Sequence, residues 1–230
     1  VLKLFDLAGA EDDRRFSPYC WRVKLALAHK GLAAEIMPWR FTEKDRIAAS
    51  GQGRVPVLVD GDKWIADSWT IACYLEDAYP DRPSLFGGGA GRALSCFYVG
   101  WTDGVLQATM IRLVVRDILD HVHPKDREYF RRSREQRFGK TLEEVVADRD
   151  RNLPAFRASL APLRTVLKEQ PYLGGASPLM ADYIVFGAFQ WARATSPFPL
   201  LERDDVVYAW RGRMLDLHGG LARKAPAYAA

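Results

Sequence analysis

Cysteine is scarce in this chain. Its 230 residues include only Cys20, Cys73 and Cys96, too few and too scattered for a disulfide scaffold or a zinc cluster. A reducing compartment is therefore expected. A dominant charge is also missing: 33 Lys and Arg against 29 Asp and Glu leave a net +4. That mild excess calls for neither nucleic acid nor an anionic membrane as partner. The longest largely apolar stretch, Tyr183 to Ala192, falls well short of the ~20 residues a membrane span needs. The start, Val1-Leu2-Lys3-Leu4-Phe5-Asp6, alternates polar and apolar residues and reads as a strand, not a signal peptide. Beginning at Val1 leaves room for residues upstream. What is present is ordinary globular composition, 48% hydrophobic and 27% charged, in a chain long enough to bury its core without staples. A cytoplasmic protein of one large or two modest domains is the expectation.

The first eighty residues alternate strand and helix patterns. Leu2–Leu7 reads as a strand. Ser17 and Pro18 open a helix as N-cap and first helical residue, and Gly31 closes it. Glu35–Trp39 reads as a second strand, and Thr42–Asp45 starts a short helical segment ended by Gly51 and Gly53. Two apolar runs, Val55–Val59 and Lys63–Ala66, flank Asp60-Gly61-Asp62, a strong hairpin signal. Asp67-Ser68 caps a helix to about Ala78. The order β-α-β-α-β-β-α predicts a small α/β domain over 1–80. Pro80, Pro83 and Gly87–Gly89 mark a linker over 81–91. Residues 92–230 predict an all-helical domain. Its long patterns are Arg92 to about His121 and Thr141 to about Gln170, the second with kinks at Pro154 and Pro162. Shorter ones follow over Met180–Ala194 and Asp204–Leu217.

Chemistry concentrates in the first domain. Ser17 stands where unpaired N–H groups and the helix dipole favour negative charge, so its hydroxyl could donate to a bound thiolate. Lowering a thiol pKa by two units takes roughly 2.7 kcal/mol of differential interaction, within reach of a charge-assisted hydrogen bond at a helix terminus. The plainer reading is a simple N-cap. Val55-Pro56 precedes a strand. A cis bond there would turn the Val55 backbone groups outward to pair with an extended peptide, whereas a trans proline would merely start the strand. Asp67 and Ser68 could take a ligand ammonium and carboxylate, or simply cap. Gln52 offers a further polar contact. Cys20 sits three residues after Ser17, a thiol redox spacing, yet it shares a helical face with Val23 and Leu27 and reads as core. Cys73 and Cys96 also read as core. His121 and His123 point to different helix faces before Pro124, so no metal is expected. The Arg127–Arg137 run, interleaved with acids, reads as a solvated face in a loop region around 121–137. Tyr98, Trp101, Phe189 and Trp191 read mostly as core, with one or two lining an apolar pocket.

Taken in order, Ser17-Pro18-Tyr19-Cys20-Trp21-Arg22, Arg54-Val55-Pro56-Val57-Leu58, Asp67-Ser68 and Leu179–Gly187 resemble the glutathione S-transferase family over nearly the whole chain. The resemblance implies a thioredoxin-like N-terminal domain that binds glutathione, followed by a helical-bundle C-terminal domain supplying the pocket for a second substrate. Position by position, it implies that Ser17 orients and activates the glutathione thiol. It also implies that Val55, before a cis-Pro56, pairs with the cysteinyl backbone, and that Asp67 and Ser68 hold the γ-glutamyl group. Gln52 or Arg40 would reach the glycyl carboxylate. Tyr19, Trp101 and Met110 are candidate walls of the second pocket. Where family members carry Ser or Thr three residues before the second-domain aspartate, this chain has Leu179, so Asp182 caps alone or Ser177 substitutes. The Ser-Pro-Tyr motif and Tyr183–Arg193 look most like the bacterial β-etherase-like group and its fungal relatives, some of which cleave aryl ethers. The expectation is a glutathione transferase acting on a hydrophobic, aromatic electrophile, with glutathione as co-substrate, no metal and a homodimeric state. A non-catalytic glutathione or hydrophobic-ligand carrier is the alternative, and a disulfide reductase working through Cys20 a third.

Overall fold

The computed structural model describes residues 1–229. Its sheet has the order β2-β1-β3-β4, built from β1 (Leu2–Leu7), β2 (Ala34–Trp39), β3 (Val57–Asp60) and β4 (Lys63–Ala66). β1 runs parallel to β2, with Leu4 opposite Ile36, and antiparallel to β3, with Leu4 opposite Leu58. Its central place explains its run of buried residues, since a strand covered on both faces cannot keep the polar alternation of an edge. The β3–β4 hairpin closes through Gly61, whose φ of +61° suits the turn.

Helix α1 (Pro18–His29) begins as the sequence predicts, with Ser17 as N-cap and Pro18 in the first turn. Gly31 follows at φ +64°. The segment after β2 is a 3-10 helix, Lys44–Ser50, and α2 spans Ser68–Ala78 behind Asp67. Beyond them every named element among the described residues is helical. α3 (Gly89–Trp101) passes through a π turn at Thr102–Leu106 into α4 (Gln107–His121). The region around 121–137, expected as a loop, instead contains α5 (Arg127–Phe138). The single helix expected over 141–170 is three: α6 (Leu142–Val146), α7 (Arg149–Ser159) and α8 (Ala161–Glu169). Pro162 starts α8 rather than kinking a longer helix, because proline is tolerated in a first turn where its missing N–H is not needed. α9 (Met180–Thr195) and α10 (Val206–Gly220) complete the chain, with non-helical backbone at Leu217–Gly219.

α9 is buried on nearly every face and forms the spine against which the sheet domain rests. It comes closest at Gly187, where a Cβ would lie 2.4 Å from the Pro18 carbonyl oxygen. Only glycine lets α9 press on the first turn of α1. Asp182 resolves the capping question raised by Leu179: its carboxylate accepts from the backbone N–H groups of Leu173 (2.7 Å), Gly174 (2.9 Å) and Leu179 (3.0 Å) and from Trp210 Nε1 (2.9 Å). Asp182 therefore caps α9 alone and ties α10 to it. Burial pushes its carboxyl pKa up, while these donors pull the other way. Of the cysteines, Cys20 is buried as expected. Cys73 is only half-buried and Cys96 is exposed, correcting their placement in the core. Among the described residues no helix is long and apolar enough to cross a membrane.

Candidate active site

Ser17 lies between the end of β1 and the first turn of α1. It is 4% exposed, and its Oγ accepts a hydrogen bond from the Cys20 backbone N–H at 3.1 Å. The capping bond uses an oxygen lone pair, so the Ser17 O–H hydrogen remains available to donate. This serine faces a cavity of about 660 Å³, within the size range of ligand sites. Tyr19 and Val55 share the walls with it, and the Val55–Pro56 bond is cis. Trp191 of α9 is the member of the expected aromatic set that reaches the cavity.

The other expected site residues lie outside these walls. Pro56 is buried beside Val55, and Gln52 is half-buried just ahead of the wall residues Gly53 and Arg54. Arg40 is turned to Gly9 O (3.2 Å) and the Asp12 carboxylate (2.5 Å). Met110 is fully buried in the helical core and Trp101 is half-buried, which corrects both as pocket walls. Asp67 is held at φ +75°, a left-handed conformation uncommon outside glycine. Its Oδ1 accepts from Trp69 N (3.0 Å), Thr70 N (2.9 Å) and Thr70 Oγ1 (3.2 Å). Ser68 is buried beside it.

The wall opposite Ser17 is the one the sequence did not reveal. α5 supplies Tyr129, Phe130, Ser133, Arg134 and Arg137. It is held there by the segment after β2. Phe41 packs on Phe130 (5.8 Å between centroids) and Tyr129 (6.2 Å), Thr42 Oγ1 donates to Asp126 (2.6 Å), and Lys125 pairs with Glu43 (2.6 Å). The basic run is a solvated face only in part. Arg131 pairs with Glu135 and Glu143, and Arg132 lies 3.6 Å from Glu128. Arg134 and Arg137 turn to the cavity. The signal was present in the i, i+3, i+4 spacing of Phe130, Ser133, Arg134 and Arg137, which places them on one stripe.

The π turn fixes the floor. Asp103 within it accepts from Arg22 (2.5 Å) and from Gln107 (2.9 Å), so α1, α4 and the wall residue Gln107 are locked together. Electrostatics separate the candidate groups. Burial pushes the Tyr19 phenol up, reinforced by Asp103, so it is a donor and not a base near neutrality. Burial raises the Cys20 thiol well above its ordinary value, with Asp6 adding to the effect. A thiol held neutral in the core is a poor nucleophile, which argues against chemistry through Cys20. Among the described residues no group of three or more His, Cys, Asp or Glu side chains could hold a metal ion.

A four-stranded sheet carrying a helix-capping serine and a cis-proline, docked on a helical bundle across a cavity, is the architecture of glutathione transferases. Residues 93–219 match the glutathione S-transferase C-terminal domain and residues 13–83 the N-terminal domain; the chain belongs to the glutathione S-transferase family. A solved glutathione transferase from Phanerochaete chrysosporium, GSTFuA3, superposes with a TM-score of 0.76 at 25% identity, covering 97% of this chain and 93% of that one. A Ceriporiopsis subvermispora glutathione S-transferase, solved in complex with glutathione, has the same fold (TM-score 0.76, 20% identity, 97% and 94% coverage). Glutathione S-transferase Z1 of Arabidopsis thaliana is 42% identical over 69 residues, 28% of this chain and 31% of that protein. The chain thus aligns with about a third of the length of these first curated relatives.

Proposed function

We propose that the protein is a glutathione transferase in which Ser17 stabilises the thiolate of bound glutathione for attack on an aromatic electrophile. The observation that carries this reading is the Ser17 Oγ, capped by the Cys20 N–H, with its own hydrogen free and a cavity in front of it. Thiolate, not thiol, is the nucleophile, so holding the sulfur anionic is the main chemical contribution asked of the protein. Val55 offers its backbone groups beside the cis-proline to the cysteinyl part of the tripeptide. Asp67 and Ser68 take the γ-glutamyl end, and the left-handed Asp67 backbone supports that role, since such conformations persist where surrounding structure enforces them for function. The sulfur forms a C–S bond as the leaving group departs with its electron pair. For an aryl ether, the C–O bond breaks and a phenolate leaves.

The narrower reading, a place beside the β-etherase-like group and its fungal relatives, rests on the Ser17-Pro18-Tyr19 motif and Tyr183–Arg193. It is tested by a screen of aryl ethers against halogenated aromatics. A two-fold dimer is supported by Leu94 and Phe97 on α3, which are 64% and 66% exposed, and is checked by solution mass. Three free thiols suit the cytoplasm. The transferase reading itself is tested by titrating bound glutathione at the thiolate absorbance. A thiol pKa below that of free glutathione supports it, and an unshifted one favours a non-catalytic carrier.

A further inference from the structure

The charged residues in the cavity walls are all of one sign. Lys44, Arg54, Arg134 and Arg137 line the cavity, and no Asp or Glu does. None of the four forms an ion pair among the described residues, although the adjacent Arg131 and Arg132 both do. Arg134 is the most constrained. It is half-buried between the rings of Phe130 (4.4 Å) and Phe41 (5.1 Å), and its one hydrogen bond goes to the neighbouring Ser133 hydroxyl at 2.8 Å. Burial depresses its pKa, as expected for a cation desolvated without a counter-charge. A desolvated guanidinium flanked by aromatic faces is a poor way to build a core and a good way to recognise a planar anion.

Lys44 and Arg54 stand on the sheet domain, beside Val55 and the proposed path of glutathione. Arg134 and Arg137 stand on α5, one turn apart, with Tyr129, Phe130 and Trp191 also in the walls. Glutathione with an ionised thiol carries two carboxylates, a thiolate and an ammonium, and the sheet-domain cations with Ser17 and the α2 terminus account for these groups. The α5 pair is left over. We infer that the second substrate is an aromatic acid, its ring laid against Tyr129 and its carboxylate held by Arg134 and Arg137. This assignment rests on the transferase reading and specifies the substrate class of that site. Arg134 then sets specificity and takes no part in bond-making. Glutathione sulfur displaces the leaving group from the ring, and the acid remains ionised throughout.

The test compares 4-chloro-3-nitrobenzoate with its methyl ester, both reacting by C–S bond formation and loss of chloride, each rate corrected for its uncatalysed reaction. It is paired with equilibrium binding of 2-naphthoate and methyl 2-naphthoate followed by tryptophan fluorescence. The full chain is expected to bind naphthoate at least tenfold more tightly than its ester and to show a correspondingly lower KM for the chloronitrobenzoate. In Arg134→Gln the preference should collapse to within about twofold, and Arg134→Lys should recover part of it. KM for glutathione should move far less than KM for the acid, and the unfolding midpoint reports whether the variant folds. Equal affinity for acid and ester in the unaltered protein overturns the inference even if both are conjugated, in which case the transferase reading stands. A glutathione KM that rises with that of the acid also overturns it, because Arg134 would then be serving the tripeptide. If naphthoate binds with the stated preference but neither chloronitrobenzoate is conjugated, the anion site stands and its assignment to a second substrate is overturned, while the transferase reading is decided by the thiolate titration.

Discussion

Replacing Ser17 by alanine removes one oxygen that the structure uses twice, and the two losses separate by measurement. The first is structural. The Cys20 N–H loses its 3.1 Å acceptor at the head of α1, which costs about 1 kcal/mol for an N-cap serine, or roughly 2–4 °C of unfolding midpoint in a chain of this size. The second is chemical. A hydrogen bond to a charged partner contributes about 1.5–3 kcal/mol, and 1.36 kcal/mol corresponds to about one pKa unit. Bound glutathione in Ser17→Ala should therefore titrate one to two units higher than in the unaltered protein. Below both pKa values the thiolate fraction, and with it kcat/KM, falls about 10- to 100-fold. The deficit should shrink as pH rises toward 9, because the thiol then ionises unaided. At pH values below both pKa values glutathione affinity should change little, since the bound sulfur is then mostly protonated and Val55, Asp67 and Ser68 are untouched. The assay is the pH profile of conjugation beside the ultraviolet titration of the bound thiol. An unchanged thiol pKa in the variant would refute the role given to this hydroxyl, whatever happened to stability.

Gly187→Ala places a methyl 2.4 Å from the Pro18 carbonyl. Overpacking of this kind costs about 1–3 kcal/mol, and because Pro18 follows Ser17, a calorimetric loss should come with a loss of activity. Asp182→Ala leaves four N–H donors, two of them buried and two half-buried, without their acceptor. At about 1–3 kcal/mol for each group left unsatisfied, denaturant titration should show a loss above about 3 kcal/mol, if the protein folds at all. His29 and His218, both hydrogen-bonded to the Tyr183 hydroxyl (2.7 and 3.2 Å), have pKa values lowered by burial. The unfolded chain then binds protons first, so stability present above about pH 6.5 declines on acidification, and His29→Gln should flatten that slope in urea midpoints measured from pH 7.5 to 5. Iodoacetamide under native conditions should label exposed Cys96 and spare buried Cys20; early labelling of Cys20 would reopen the reductase alternative.

The sheet domain was legible because each of its elements carries its own local signal. Ser17-Pro18 marks a helix start, Asp60-Gly61-Asp62 a hairpin and Asp67-Ser68 a second cap, and all three elements form within about two residues of expectation. The helical region was less legible. Thr141–Gln170 reads as one long helical pattern; Pro162 marks the second break, at Leu160, but no proline or glycine marks the first, at 147–148. α5 escaped because its charges mask its pattern. Its inward stripe contains two arginines, which a burial-based reading assigns to solvent unless a cavity is known to lie beneath them. Trp101 and Met110 illustrate the complementary error, since apolar spacing marks the buried face of a helix without saying whether protein or an empty pocket covers it. Cys96 shows the same limit in reverse, a residue in a helical pattern that the packing leaves exposed.

The central claim is spatial: the glutathione sulfur meets the Ser17 hydroxyl. A crystal structure of the protein with bound glutathione measures that directly. The account predicts the sulfur within hydrogen-bonding reach of Ser17 Oγ, with the tripeptide backbone running along Val55. A tripeptide bound with its sulfur turned away from Ser17, or failure of the cavity to bind glutathione at all, would contradict it.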